Sequence, residues 1–309
     1  MQKDIINMNN SNKILLNAAI IFTAAGVLLG LADIASGKKE LWGVENMAFE
    51  TNSYDIDESF SVISIEDVEC GIKIQCSPDN RCRVICCPAR ADGSVYRTAE
   101  VNNGVLRIER HDKGKLFSFF SLPPADIEVY LPEGEYGKLT AYSTSGRIAV
   151  DEGLNFVSAR LESVSGSIEM YSDVKDELRA ESTSGRVTVE NASPERLTAK
   201  NKSGSVSLSR IRSEDIDAST VSGRIELCNV IASSHLNAES VSGSVELECC
   251  DADRIRIEST SGSVKGTLLS DKIFTARSAS GSVDVPRSAS GGECEISTTS
   301  GSIKIEINS

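Results

Sequence analysis

From residue 138 onward, apolar and polar residues alternate through short runs on either side of a recurring Ser-Gly: LTAYSTSGRIAV, LRAESTSGRVTV, LTAKNKSGSVSL, LNAESVSGSVEL and FTARSASGSVDV. Period-two alternation is the mark of a β-strand with one face in a core and the other in water. The glycines of these pairs are Gly146, Gly166, Gly185, Gly204, Gly223, Gly243, Gly262, Gly281 and Gly301, spaced by 19 or 20 residues throughout. A unit that short cannot bury its own apolar face, so in-phase recurrence predicts coils stacked on their neighbours.

Aligning the units predicts which side chains face inward. Two residues after each glycine stand Ile148, Ile168, Val187, Val206, Ile225, Val245, Val264, Val283 and Ile303, all β-branched. Four residues after it the row continues as Val150, Met170, Val189, Leu208, Leu227, Leu247, Val285 and Ile305, interrupted only by Gly266. The preceding strand supplies Leu139, Ala159, Leu178, Leu197, Ile216, Leu236, Ile255, Phe274 and Cys294. A fourth row is small and polar: Ser143, Ser163, Ser182, Asn201, Thr220, Ser240, Ser259, Ser278 and Thr298. Stacked in register, these hydroxyls are expected to hydrogen-bond to one another along the axis, as cross-strand Ser and Thr pairs do. A ligand-binding polar groove is the functional alternative. Glycine suits the turn because a positive φ costs it nothing and because stacked coils bring backbones close.

The predicted fold is therefore all-β: a single β-solenoid of about nine coils over 138–309. Before it, 45–137 reads as a β-rich capping region, with strands in SFSVISI, CGIKIQC, CRVICC, GVLRIER and ADIEVYLP and a hairpin turn at Asn102-Asn103-Gly104. The far end is expected to close on the charged strand SIKIEINS. Residues 14–36 read as a transmembrane helix, between a tail at 1–13 and a linker at 37–44. Ile14 to Ala32 carries no charge, and as a helix it would extend about 29 Å, close to a hydrocarbon core. A cleaved signal peptide is the rival reading, with Gly30 and Ala32 at cleavage spacing. Lys3 and Lys13 before the segment balance Lys38 and Lys39 after it, so its orientation is not set by the flanks.

Charge removes one class of partner. Thirty-two Lys and Arg stand against 45 Asp and Glu, a formal net charge of −13, which repels a phosphate backbone and argues against nucleic acid. The nine cysteines are Cys70, Cys76, Cys82, Cys86, Cys87, Cys228, Cys249, Cys250 and Cys294. They admit three readings: buried core residues, disulfides or a metal site. Cys76 and Cys82 flank the turn-like Ser77-Pro78-Asp79-Asn80 and would suit a cross-strand disulfide. No C-x-x-C pair supports zinc.

Catalytic patterns are missing from the sequence: no phosphate-binding loop, no H-E-x-x-H, no G-x-S-x-G. A serine or cysteine nucleophile would need His111 or His235 as base, and neither lies in a motif. Asp217, Glu226, Glu246 and Glu258 sit at outward strand positions where paired acids could cleave a glycoside, but a regular repeat spreads acids evenly whereas catalysis singles two out. The expectation is no enzyme, no cofactor and no metal. Phe117, Phe119 and Phe120, in KLFSFFSLPP, read either as a candidate partner or membrane contact or as part of the capping-region core.

The Ser-Gly units, the strand Ile127-Glu128-Val129-Tyr130-Leu131-Pro132 leading into them and the amino-terminal apolar segment together resemble the bacterial putative adhesin family. That resemblance covers roughly residues 45 to 309. It implies a membrane-associated envelope β-solenoid, with adhesion or envelope-stress sensing as its role and no family catalytic residues to carry over. The reading that results is a single-pass, membrane-anchored binding module of a bacterial cell envelope, its solenoid extracytoplasmic, holding a protein or glycan partner. The alternative is a structural or regulatory scaffold beside a membrane signalling protein.

Overall fold

Alternation along the chain becomes stacking of parallel strands, coil upon coil. The computed structural model describes residues 49–50, 52–86, 89–90, 95–112 and 126–308. The expected membrane segment at 14–36 and the aromatic cluster Phe117, Phe119 and Phe120 lie outside these residues. Among the described residues all regular structure is β, and no helix is long and apolar enough to cross a membrane.

Each coil has a strand before its Ser-Gly turn and a strand after it. The leading strands Glu135–Ser143, Asn155–Ser163, Asp173–Ser182 and Arg196–Asn201 pair in parallel, setting Ser143, Ser163, Ser182 and Asn201 side by side. The trailing strands Ile148–Val150, Ile168–Met170 and Val187–Glu190 do the same. Further along, each trailing strand runs on into the next leading strand, giving Val206–Thr220, Ile225–Ser240 and Val245–Ser259. These long strands turn their corner at Arg210, Asn229 and Cys249, with φ near 54°, 54° and 52°. Asn tolerates that left-handed conformation better than Arg or Cys, which hold it only because the coils on either side fix the corner.

The expected inward rows form the core, and two further rows join them. Ala141, Leu161, Ala180, Ala199, Ala218, Ala238, Ile257 and Ile296 are buried on the leading strands, and Leu154, Phe156, Val174, Ala192, Ile211, Val230, Cys250 and Leu268 fill the return corner. All belong to one contiguous apolar cluster.

The turn glycines are explained by proximity alone. None of the Ser-Gly glycines adopts a positive φ. A Cβ on Gly166 would overlap the carbonyl oxygen of Gly146, one on Gly185 that of Gly166, and so on up the stack. Glycine is there so that one turn can rest its backbone on the carbonyl of the next.

Coil order departs from chain order at both ends. Gly262 is followed in the stack by Gly301, and Gly301 by Gly281, because Gly292–Thr298 inserts between Val245–Ser259 and Lys272–Ser278. Ile303–Ile307 lies likewise between Val264–Leu268 and Val283–Asp284. Eight steps thus separate Gly146 from Gly281. The expected terminal strand is internal, and the Gly281 coil is outermost; Val283, predicted to face the core, is consequently 43% exposed. Apolarity explains the exchange: Ile296, Ile303 and Ile305 take the enclosed position, while the less apolar Ala276, Val283 and Val285 take the outer one.

At the other end the same inversion appears. Val62–Asp67 and Gly71–Cys76 stack directly beneath the first Ser-Gly coil, and Val105–Asp112 and Asp126–Leu131 stack beneath those. The capping region therefore contains a coil without the motif: Asp67 takes the serine position and Cys70 the glycine position, aligned with Ser143 and Gly146. The expected Asn103-Gly104 hairpin is present, joining Val95–Asn102 to Val105–Asp112 with φ of 52° and 75°. Cys76 and Cys82 do not form the anticipated bridge; both are free. Asp126–Leu131 lies between their strands, parallel to Gly71–Cys76 and antiparallel to Cys82–Ile85, so the two never pair. Cys70 is the disulfide-bonded one.

Candidate functional site

The polar ladder beneath the Ser-Gly corner is built differently from expectation. Ser182 Oγ donates to Gly166 O at 2.9 Å and accepts from Gly185 N at 3.0 Å. Thr220 repeats this with Gly204 O at 2.9 Å and Gly223 N at 3.1 Å, and Thr298 with Gly262 O and Gly301 N, both at 3.1 Å. Asn201 does the same through its amide, its Nδ2 donating to Gly185 O. Each side chain thus ties its own turn to the neighbouring coil, and the hydroxyls do not bond to one another. A hydroxyl has one proton to give, and a buried carbonyl orphaned at the turn is the stronger claim on it. The hydroxyls of the ladder have no donor left for a ligand.

What faces solvent at this corner is a track running along it. A depression of about 490 Å³ is lined by Glu66, Val68, Arg110, His111 and Tyr142 among others. A second, of about 400 Å³, begins at Tyr142 and reaches Asn201 and Ser219. Those two residues also open the third, of about 520 Å³, which continues to Ser297 and Thr299. Shared lining residues make the three one groove. Its outer wall carries Val164, Val221 and Val241, 38%, 47% and 46% exposed, residues whose β-branched shape suits a stiff apolar ridge. Its inner wall carries Glu162, Glu181 and Glu258, each paired with an arginine of its own strand: Arg160 at 2.5 Å, Arg179 at 2.8 Å and Arg256 at 2.6 Å. These three carboxylates are each neutralised by their own arginine.

The four outward carboxylates separate into two pairs. Asp217 and Glu258 lie on the leading-strand face, bridged to Lys200 and Arg256. Glu226 and Glu246 lie on the trailing-strand face, both reached by Arg224, in a depression of about 570 Å³ shared with Glu190, Glu248, Lys265 and Lys304. All four are salt-bridged to bases, which suits recognition better than proton transfer.

Neither histidine is set up as a relay. His111 stacks on Tyr96 with centroids 5.0 Å apart and meets Thr98 Oγ1 at 2.9 Å. His235 meets Ser234 Oγ and Asp215 Oδ1 through the same nitrogen, Nδ1, at 2.8 Å each. A relay needs one ring nitrogen toward the nucleophile and the other toward the orienting acid.

Four cysteines, Cys82, Cys86, Cys250 and Cys294, follow the core reading, whereas Cys70 follows the disulfide one. Burial pushes the thiols of Cys82, Cys250 and Cys294 up to about 12 and that of Cys86 up to about 11. These groups stay protonated and unreactive at neutral pH. Among the described residues no cluster of three or more His, Cys, Asp or Glu could hold a metal ion. The turn glycines lie where the sequence placed them, but as packing elements under the groove. The groove itself has a faint sequence signal, the Thr or Val that precedes each Ser-Gly in most units.

No curated protein matches this sequence. Among solved structures, a putative adhesin from Parabacteroides distasonis superposes with a TM-score of 0.52 at 14% identity, over 84% of this chain and 98% of its own. A putative lipid binding protein from the same species gives 0.48 at 14% identity, covering 84% and 98%, and a putative adhesin from Parabacteroides merdae 0.45 at 12%, covering 84% and 97%. At such identities the first likeness speaks for the fold alone. Residues 60–306, the solenoid and the coils beneath it, match the Toastrack DUF4097 family, and the chain belongs to that family.

Proposed function

We propose that the protein is a non-catalytic binding module of the bacterial cell envelope, anchored through its apolar segment at 14–36, that holds a glycan or protein partner along the Ser-Gly corner. The observation that carries this reading is the groove: one continuous track whose outer wall exposes Val164, Val221 and Val241. A row of apolar side chains beside a row of paired charges offers stacking area and hydrogen bonds at regular intervals, which favours an extended ligand over a compact one. The Cys70 disulfide supports an oxidising, extracytoplasmic location for the solenoid.

Cells displaying the full chain with a photo-crosslinking residue at position 221 test the reading. Crosslinked envelope glycan or protein is the expected product, and Val221→Asp combined with Val241→Asp in a folded chain removes binding. Absence of any crosslink at 221 overturns it. Protease accessibility of the carboxy-terminal coils in intact cells tests the location, with protection of those coils counting against an external solenoid.

A further inference from the structure

The two ends of the stack are finished differently. Beyond Val105–Asp112 lies the antiparallel strand Val95–Asn102, and beyond Asp126–Leu131 lie Cys82–Ile85 and then Ser53–Ile56, all antiparallel. Leu106, Ile108, Ile127 and Val129 are fully buried there. At the Gly281 end no described strand lies outside Lys272–Ser278. Its inward Phe274 and Ala276 are only half-buried, as is Val285, whereas Ile255, Ile296 and Ile303 in the coils below are completely enclosed. Ile273 at 47% and Val283 at 43% are among the most exposed large apolar residues of the described chain. An open solenoid end with a free strand edge invites pairing.

We propose that this end is the docking face for a second copy of the chain, joined about a two-fold axis by antiparallel pairing of Lys272–Ser278 with itself. Charge selects the occupant and its direction. Antiparallel pairing centred on Phe274 sets Asp271 opposite Arg277 of the second copy, twice, with Ile273 opposite Thr275 and Phe274 opposite its own equivalent. Parallel, in-register pairing would instead set Asp271 against Asp271 and Arg277 against Arg277. Directly opposed unlike charges stabilise a strand pair and like charges destabilise it. Asp271 and Arg277 are both exposed, and neither forms an ion pair among the described residues. Lys272 does not interfere, because its Nζ is turned inward onto Asp251 at 2.6 Å and Ser270 at 2.8 Å. Ser53–Ile56 and Val95–Asn102 at the other end also pair on one side only among the described residues, so it is the match of Asp271 with Arg277 on this one strand that selects an isologous dimer over head-to-tail growth. Pairing extends the leading-strand sheet; on the other sheet Pro286 follows the short strand Val283–Asp284 and has no N–H to donate, so Val283 and Val285 contribute apolar contact only.

The test is the mass of the full chain in detergent by light scattering. A protein mass twice the 33.1 kDa of one chain is expected. Asp271→Arg and Arg277→Asp should each weaken self-association about tenfold or more, and either the double variant or an equimolar mixture of the two single variants should restore it. The mixture is decisive because every opposed pair in the mixed dimer is again Arg with Asp. A monomeric wild type overturns the proposal, including one in which residues 1–48 protect the end from hydrogen exchange, and so does a dimer indifferent to both reversals. Both sites are exposed, so circular dichroism of the single variants should match the wild type.

Discussion

Arg97 and Asp67 form an ion pair with no solvent exposure on either side chain, Nε to Oδ2 at 2.6 Å and Nη2 to Oδ1 at 3.2 Å. Asp67 Oδ1 also accepts the amides of Cys70 at 2.8 Å and Glu69 at 2.9 Å, and Tyr54 donates its hydroxyl to the Arg97 carbonyl at 2.7 Å. The pair therefore fastens the motif-free coil to the strand Val95–Asn102 at the closed end. Burial alone would raise the Asp67 carboxyl, but the hydrogen bond and charge of Arg97 and the two amides together hold it below its ordinary value. A carboxyl depressed in the folded state stabilises fully above the unfolded pKa, about 3.9, and loses that contribution as pH falls through the lower folded value. Asp67→Asn should cost about 3–5 kcal/mol at neutral pH by leaving Arg97 buried and unpaired. Urea midpoints across acidic pH check this: the gap between wild type and variant should narrow as pH drops below the ordinary carboxylate range, and a constant gap would refute the assignment.

Gly185→Ala should destabilise by about 1–3 kcal/mol, because the new methyl overlaps the backbone carbonyl of Gly166 and a backbone cannot step aside as a side-chain tip can. Gly134, where an added methyl would meet nothing within 4 Å and φ is not positive, is the control, and its alanine variant should stay within about 0.5 kcal/mol of wild type. Thermal unfolding of the two variants decides whether backbone contact, rather than turn conformation, requires glycine.

Adjacent residues Val206 and Ser207 face opposite ways, the first fully buried and the second half-exposed beside Glu226. Val206→Asp should cost about 4 kcal/mol or more, since an unpaired carboxylate enters the core. Ser207→Asp should be mild and grow milder with added salt, because its only cost is repulsion on a solvated face. Equal losses at the two positions in denaturant melts would contradict the facing.

Thiol labelling separates the cysteines. In the folded chain Cys82, Cys86, Cys250 and Cys294 should react only after unfolding, being buried and held protonated by desolvation. Cys76, Cys228 and Cys249 are partly exposed and should label first. Mass spectrometry of labelled peptides gives the order, and early modification of Cys250 would show that its coil opens.

The solenoid was legible because its rows repeat. Ile148, Val187 and Val264 occupy one position in successive units and are all buried, so nine copies of a weak alternation signal reinforce one another. The motif-free coil was hidden because Asp67 and Cys70 perform the serine and glycine functions with different atoms: a carboxylate accepts the same turn amide that a hydroxyl accepts elsewhere. The exchange of the Gly281 and Gly301 coils was hidden for another reason. Both carry the same turn chemistry, Ser278 bonding Gly301 O and Thr298 bonding Gly262 O, so local sequence does not rank them. Only burial of Ile296, Ile303 and Ile305 decides, and that is a comparison between coils. The groove was weakly visible because it joins residues from many units, each ordinary when taken alone.

The inverted order of the last two coils constrains how the chain can reach its native state. Growth in the manner of a zipper, each unit settling as it emerges, would seat the Gly281 coil on Gly262 before the Gly301 coil existed to compete for the place. The native arrangement requires that position to be vacant or vacated when the Gly301 coil arrives, so the tip closes as a pair or by exchange rather than link by link.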